Sequence, residues 1–310
     1  MEIVLLDGKN SFSMNNKIVA TIGEFDGIHI AHQELFKKTI EISKDKKYLS
    51  AVITFDPHPD VYLKKDESVI LSNSEKLSII ESYGFDYLFI IKFNNQIVTM
   101  SHPDFIENYL TKINIAHLVI GFDFKYGYKG LGNKDTISSD SNNQITVTTV
   151  PELKVGNHKI GSSYIKKLLN DGAIEEANLL LGRKYKLTGH VIHGNNIGEK
   201  IKVPTANLKL DFSSTNLKQG VYVGICKVLG KKYYSICNIG HNPSFNYRDF
   251  LSYEIHIIDE NFASSIYDEY IELELVKYLR EEKTFKNIED FKIQIECDKK
   301  EAFEILNNAL

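Results

Sequence analysis

Short apolar runs alternate with amphipathic stretches through the first 125 residues. Ile18, Val19 and Ala20 open the series, and residues 48–55 (YLSAVITF), 87–93 (YLFIIKF) and 117–121 (HLVIG) continue it. Continuous apolar runs of this length predict strands buried on both faces. Between them fall helical spacings: Leu35, Phe36 and Ile40; Leu77, Ile79 and Ile80; and Phe105, Ile106, Tyr109 and Leu110 behind a Ser101 cap and Pro103. Strands alternating with helices predict βαβ units and a parallel sheet, an α/β Rossmann-like domain. Residues 130–143, rich in Gly, Ser, Asn and Asp, predict a mobile loop. Residues 144–150 read as a strand and 174–183 as a helix. After Lys184 the period changes. Residues 185–192, 206–210, 221–228, 233–239, 253–258 and 270–278 read as strands with no long helix between them, which predicts a small antiparallel β-barrel. Residues 287–306 read as a terminal helix with Ile288, Phe291, Ile295, Phe303 and Leu306 on or near one face. The expected division is 1–183 for the first domain and 184–310 for the second.

Composition narrows the class. The chain has 310 residues, 43% hydrophobic and 25% charged, the profile of a soluble globular protein of two ordinary domains. A net charge of −4 implies no general polyanion-binding surface, so nucleic acid is not an expected partner. Cys226, Cys237 and Cys297 form no CxxC pair, which fits a reducing cytoplasm and no structural zinc. The N-terminus lacks the basic region of a signal peptide, and no apolar run approaches a membrane span.

The chemistry concentrates at strand ends. After the first run come Gly23, Phe25, Asp26 and Gly27, then His29 and His32 three apart at a helix start. A helix N-terminus offers unpaired N–H groups to a phosphate, and either imidazole can donate to phosphate oxygens without a fixed full charge. Asp56 and His58, in a loop stiffened by two prolines, either face the same crevice or simply form a rigid turn. Asp123 and Phe124 follow the fourth strand in an aromatic loop that either packs or flanks a planar ring. Ser162, Ser163 and Lys166 open a helix as caps or as phosphate ligands. In the second half, Gly194 and Gly198 lie in a loop able to bring backbone N–H groups to phosphates. Behind Pro204, Thr205 and Asn207 offer the hard oxygens that Mg²⁺ accepts. Glu254 and His256 share a strand face, either a solvated one or one that puts a carboxylate inside the barrel mouth. No GxGxxG follows the first strand, which argues against a dinucleotide oxidoreductase.

The segment GEFDGIHIAHQ resembles the phosphate-binding signature of the HxGH nucleotidylyltransferases, and more closely that of bacterial FAD synthetases. TFDPHP, the GFDFKYG loop and IGSSYIK resemble later blocks of the same family, in order. Ala31, Gly161 and Lys166 replace a glycine, a serine and an arginine of the pattern. HGNNIGEKIKVPTANL, GVYVGICKV, NIGHNPSF, YEIHIID and LREEKTF resemble the riboflavin kinase pattern, with residues 199–203 departing from it. The resemblance runs from about residue 15 to 305. It implies a bifunctional enzyme that phosphorylates riboflavin to FMN and adenylylates FMN to FAD, using ATP and Mg²⁺. Glu254 is then the kinase base, with metal held by Thr205 and Asn207. His29 and His32 would stabilise transferring phosphates, and Asp56, His58, Asp123, Phe124 and Asn238 would contact flavin. The alternative is a kinase alone, its first domain kept for binding or regulation.

Overall fold

The computed structural model describes residues 1–7, 14–66, 68–192, 206–212, 214, 216–241, 251–258, 262 and 266–308. The chain forms two compact units: Met1–Ser68 with Asn73–Ser162, and Val69–Ser72 with Ser163–Leu310.

The first unit is built on six parallel strands: β1 (Glu2–Leu6), β2 (Ile18–Ile22), β3 (Leu49–Asp56), β4 (Tyr87–Lys92), β5 (Ile115–Gly121) and β6 (Thr146–Val150). Their order is β1-β4-β3-β2-β5-β6. Every residue of β2 is buried, as a central parallel strand covered on both faces requires. Helix α1 (Ile30–Lys46) runs from β2 toward β3 on one side, while β5 lies on the other. The β2/β5 boundary is therefore the point where strand order reverses, and in open α/β sheets ligands bind in the crevice at such a point. Phe36 of α1 is fully buried and meets Phe25, Tyr83 and Phe85 edge-on, which fixes the helix against the sheet. Helix α2 (Asn73–Ser82) precedes β4.

The segment expected as a mobile loop is instead pinned. Ile137 is fully buried in a short helical turn. Asp140 accepts from the Tyr126 hydroxyl at 2.5 Å and lies 2.6 Å from His102 Nδ1. Gly127 (φ 71°) allows this packing, because a Cβ there would meet the His102 backbone at 2.6 Å.

In the second unit, α3 (Ser162–Asp171, in this unit from Ser163) and α4 (Ile174–Leu181) lead into a closed barrel. Its strands are β7 (Tyr185–Ile192), β8 (Ala206–Leu210), β9 (Gly220–Val228), β10 (Lys231–His241), β11 (Leu251–Ile257) and β12 (Tyr270–Arg280). They are antiparallel, in the circular order β7-β8-β11-β10-β9-β12. Asn178 of α4 donates to the Leu275 carbonyl and accepts from the Tyr185 N–H, tying that helix to two barrel strands. Leu229 and Gly230, both at positive φ, make the two-residue turn of a tight hairpin.

Helix α5 (Ile288–Asn308) packs Ala302 and Leu306 on Val221, Val223, Ile225 and Ile236. Its buried face differs from the expected one. Ile288 and Phe303 are 60% and 50% exposed, while Asp298 is 2% exposed because Arg280 holds its carboxylate with two hydrogen bonds.

Candidate active sites

The turn after β2 is fixed from several directions. Gly23 N–H donates to the Ile53 carbonyl. Thr54 Oγ1 and Lys76 Nζ both donate to the Glu24 carbonyl, at 3.3 and 3.2 Å. Ser162 Oγ donates to the Asp26 carbonyl at 2.8 Å, and the Gln33 carboxamide donates to the Ile28 carbonyl at 3.0 Å. These bonds hold Phe25 (φ 51°) and Ile28 (φ 37°) in the left-handed region, where only Gly27 (φ 82°) is at ease. Complete burial of Phe25 and Ile28 offsets that strain.

His29 caps α1. Its Nδ1 accepts from the His32 N–H at 3.3 Å, so the proton of the neutral ring resides on Nε2. The two imidazoles stack with centroids 3.6 Å apart, and Phe25 meets His32 edge-on. Burial, then His29, then Lys76 hold the His32 pKa well below its usual value. His32 is therefore neutral, and its Nδ1 is buried with no hydrogen-bond partner among the described residues. A buried, unpaired ring nitrogen beside a helix N-terminus suits a bound polar ligand.

Two cavities open at the turn. One, of about 840 Å³, is lined by Gly23, Glu24, Phe25, Asp26, His32, Phe124 and Ser162 among others. The other, of about 270 Å³, shares Gly23, Phe25 and His32 and adds His29, Ala31 and Gly161. Asp123 lines both but is paired with Lys159, which also lies over the Phe122 ring. Most of the expected first-unit residues thus meet at one place. Asp56 does not line either cavity and is exposed. His58 is turned against Glu24, 3.4 Å away, and its Nδ1 accepts from Asp60 N–H. Ser163 and Lys166 follow Ser162 on α3 within the second unit.

Two residues in this region escaped the sequence reading. Glu24 faces the larger cavity, where burial, Asp60 and Asp26 raise its carboxyl to about 7. Lys76 is buried under the turn. Glu24 sits inside the quoted motif and was open to notice. Lys76 looks in sequence like any helix lysine.

In the barrel, β11 places Glu254 directly opposite Asn207 on β8 and Asn238 on β10. Residues opposite one another in a ladder share a face, so the three polar side chains form a row. His256, two residues on, is buried on the same face opposite Ile236. Ile236 packs under α5, so this face is the outer one beneath the terminal helix and not the barrel mouth. A cavity of about 130 Å³ lies there, lined by Asn238, Glu254, His256 and Glu282 and by Phe291, Ile295 and Asp298 of α5. Burial and then Glu282 raise the Glu254 carboxyl above its usual range. Asn238 Nδ2 donates to Glu282 at 3.1 Å. Gly194, Gly198, Pro204 and Thr205 lie outside the described residues.

A parallel α/β sheet with two stacked histidines at its switch point, followed by a closed antiparallel barrel carrying the row Asn207, Glu254 and Asn238, fits a class: a nucleotidylyltransferase-type α/β domain joined to a flavokinase-type barrel. The family models agree. Residues 11–164 match FAD synthetase and residues 181–306 match riboflavin kinase. The chain belongs to the family of bifunctional riboflavin kinase/FMN adenylyltransferases. It is 37% identical over 297 residues to the protein of that name from Bacillus subtilis, covering 94% of this chain and 93% of the relative. It is 34% identical to that of Listeria monocytogenes, covering 93% and 91%. It is 29% identical to that of Escherichia coli K12, covering 92% of each. A solved structure described as a macrolide-efflux protein from Streptococcus pneumoniae superposes with a TM-score of 0.88 at 26% identity, covering 97% of this chain and 98% of that one. Among the described residues, no helix is long and apolar enough to cross a membrane.

Proposed function

We propose that the chain makes FAD from riboflavin in two ATP-dependent steps, phosphorylation in residues 184–310 and adenylylation in residues 1–183. This functional division differs from the compact one at residues 69–72 and 163–183. The observation that carries the reading is that each half has its own reactive cluster: the stacked His29 and His32 at a helix start, and Glu254 between Asn207 and Asn238.

In the kinase half, the riboflavin 5′-hydroxyl attacks the γ-phosphate of ATP. Glu254 takes the hydroxyl proton, a role that its raised pKa favours. The new O–P bond forms as the bond to ADP breaks, and FMN results. The Asn207 carboxamide, beside Glu254, would suit a hard divalent cation, and the family resemblance adds Thr205, which lies outside the described residues. Mg²⁺ bound by these residues would neutralise charge at the transferring phosphoryl group.

In the first half, an FMN phosphate oxygen attacks the α-phosphate of a second ATP, and pyrophosphate leaves. The nucleophile is already an anion, so no base is required. His29 Nε2–H, the neutral His32 and the N-terminus of α1 supply hydrogen bonds to the developing charge, while the Ser162 hydroxyl holds the turn through the Asp26 carbonyl; Ser163 and Lys166 are the remaining phosphate residues that the family resemblance implies. Three free thiols support a reducing cytoplasm as the setting.

Incubating the pure chain with riboflavin, ATP and Mg²⁺ and separating the flavins tests this. FMN followed by FAD is the expected result. FMN alone, even when FMN is supplied, leaves the kinase-only alternative. No FMN at all sinks both.

A further inference from the structure

Lys76 breaks two rules at once. It is 8% exposed, and it stands in the first turn of α2, where the helix dipole disfavours a cation. Its ammonium donates to the Glu24 carbonyl at 3.2 Å, inside the turn that carries the phosphate site. Asp26, Asp56 and Glu24 all interact with it electrostatically. The turn therefore brings acids to a place meant for a polyanion, and Lys76 is the cation set among them. Departures from local rules of this kind are expected where function demands them.

We propose that Lys76 is a positioning residue for adenylyl transfer: it fixes the turn through the Glu24 carbonyl and offsets the acids around the triphosphate. The proposal rests on the adenylyltransferase reading. Without Lys76, Asp26 faces the incoming nucleotide with no cation beside it, and of the two side-chain bonds to the Glu24 carbonyl only the 3.3 Å bond from Thr54 is kept. The groups that set the charge of His32 are His29 on its own turn and Lys76 from α2, with Glu24, Asp26 and Asp56 acting on Lys76. The cation and the imidazole repel each other, so removing the cation raises the His32 midpoint.

The test uses the full chain as wild type, Lys76→Met and Lys76→Arg, with His32 assigned by NMR against His32→Gln. Three quantities are read: FAD formation from FMN and ATP, FMN formation from riboflavin, and the titration of His32. Lys76→Met is expected to lower kcat/KM for ATP about 10²-fold, chiefly through KM, as misplacement of a site by about 1 Å does. It is expected to raise the His32 midpoint and leave FMN formation at the wild-type rate. Lys76→Arg keeps the charge, so it keeps the His32 midpoint and recovers most of the KM loss. Unchanged FAD kinetics in Lys76→Met overturn the proposal. So does lost activity with an unmoved His32 midpoint, which marks a packing role only. If Lys76→Met does not fold, Lys76→Arg decides: an altered His32 midpoint there refutes the charge argument. A wild-type chain that makes no FAD overturns the underlying reading, and the His32 midpoint then judges the effect of Lys76 on the histidine separately.

Discussion

Asp298→Ala offers the most quantitative test of how the barrel holds its terminal helix. Arg280 Nε donates to one Asp298 oxygen at 2.9 Å and Nη2 to the other at 2.6 Å, while Gln294 adds a third bond at 2.8 Å. The side chains are 18% and 3% exposed, so water screens the pair little. Removing the carboxylate leaves a buried guanidinium without its counter-ion, which costs about 3–5 kcal/mol. The second unit has roughly 150 residues, and at that size each kcal/mol moves the Tm by about 2–4 °C. The expected fall is therefore about 6–20 °C, read by calorimetry and by the loss of riboflavin kinase activity on heating. Asp298 and Arg280 also line the Glu254 cavity, so kinase activity should fall before the first unit melts. The double variant Arg280→Met/Asp298→Leu removes both charges and should recover most of the loss. A shift below about 2 °C in Asp298→Ala would refute the view that this pair secures α5.

Glu254→Gln should lower FMN formation by about 10²–10⁴-fold with FAD formation from supplied FMN unchanged; near-normal kinase activity rules Glu254 out as the base. His29→Ala removes both the α1 cap and a phosphate donor, so FAD formation should fall about 10²–10³-fold and the first unit should lose about 1 kcal/mol, with kinase activity intact. Glu24 carries a folded-state pKa of about 7 against an ordinary 4.5, so between those values the folded chain holds a proton that the unfolded chain releases. The stability this contributes is present below pH 4.5 and lost as pH rises to 7, so the Tm advantage of Glu24→Gln should grow across that window; a constant offset counts against it.

The strands of the first unit were legible because central parallel strands are apolar along their whole length. The observed Leu49–Asp56 and Tyr87–Lys92 fall within a residue of the apolar runs. The histidine pair was legible because its spacing and its helix start are local. What stayed hidden depends on distant partners. Asp298 is buried because of Arg280, and Asp140 orders its polar segment because Tyr126 and His102 reach it. Neither partnership leaves a periodic trace. The face shared by Glu254 and His256 followed from the two-residue period of a strand. That it lies beneath α5, opposite Asn207 and Asn238, depends on register between strands far apart in sequence.

The two sites use one physical effect with opposite results. Burial favours the neutral form of any titrating group. In the first unit it lowers the His32 pKa, and a neutral imidazole can donate a hydrogen bond to phosphate without competing as a fixed charge. In the barrel it raises the Glu254 pKa, and a carboxylate that binds its proton more strongly is a better base. The proposed reactions call for that difference. A ribityl hydroxyl must lose a proton as it attacks, whereas the phosphate of FMN has none to lose. A general base beside the histidine pair would have no proton to take, and a neutral donor in place of Glu254 would leave the hydroxyl proton with nowhere to go.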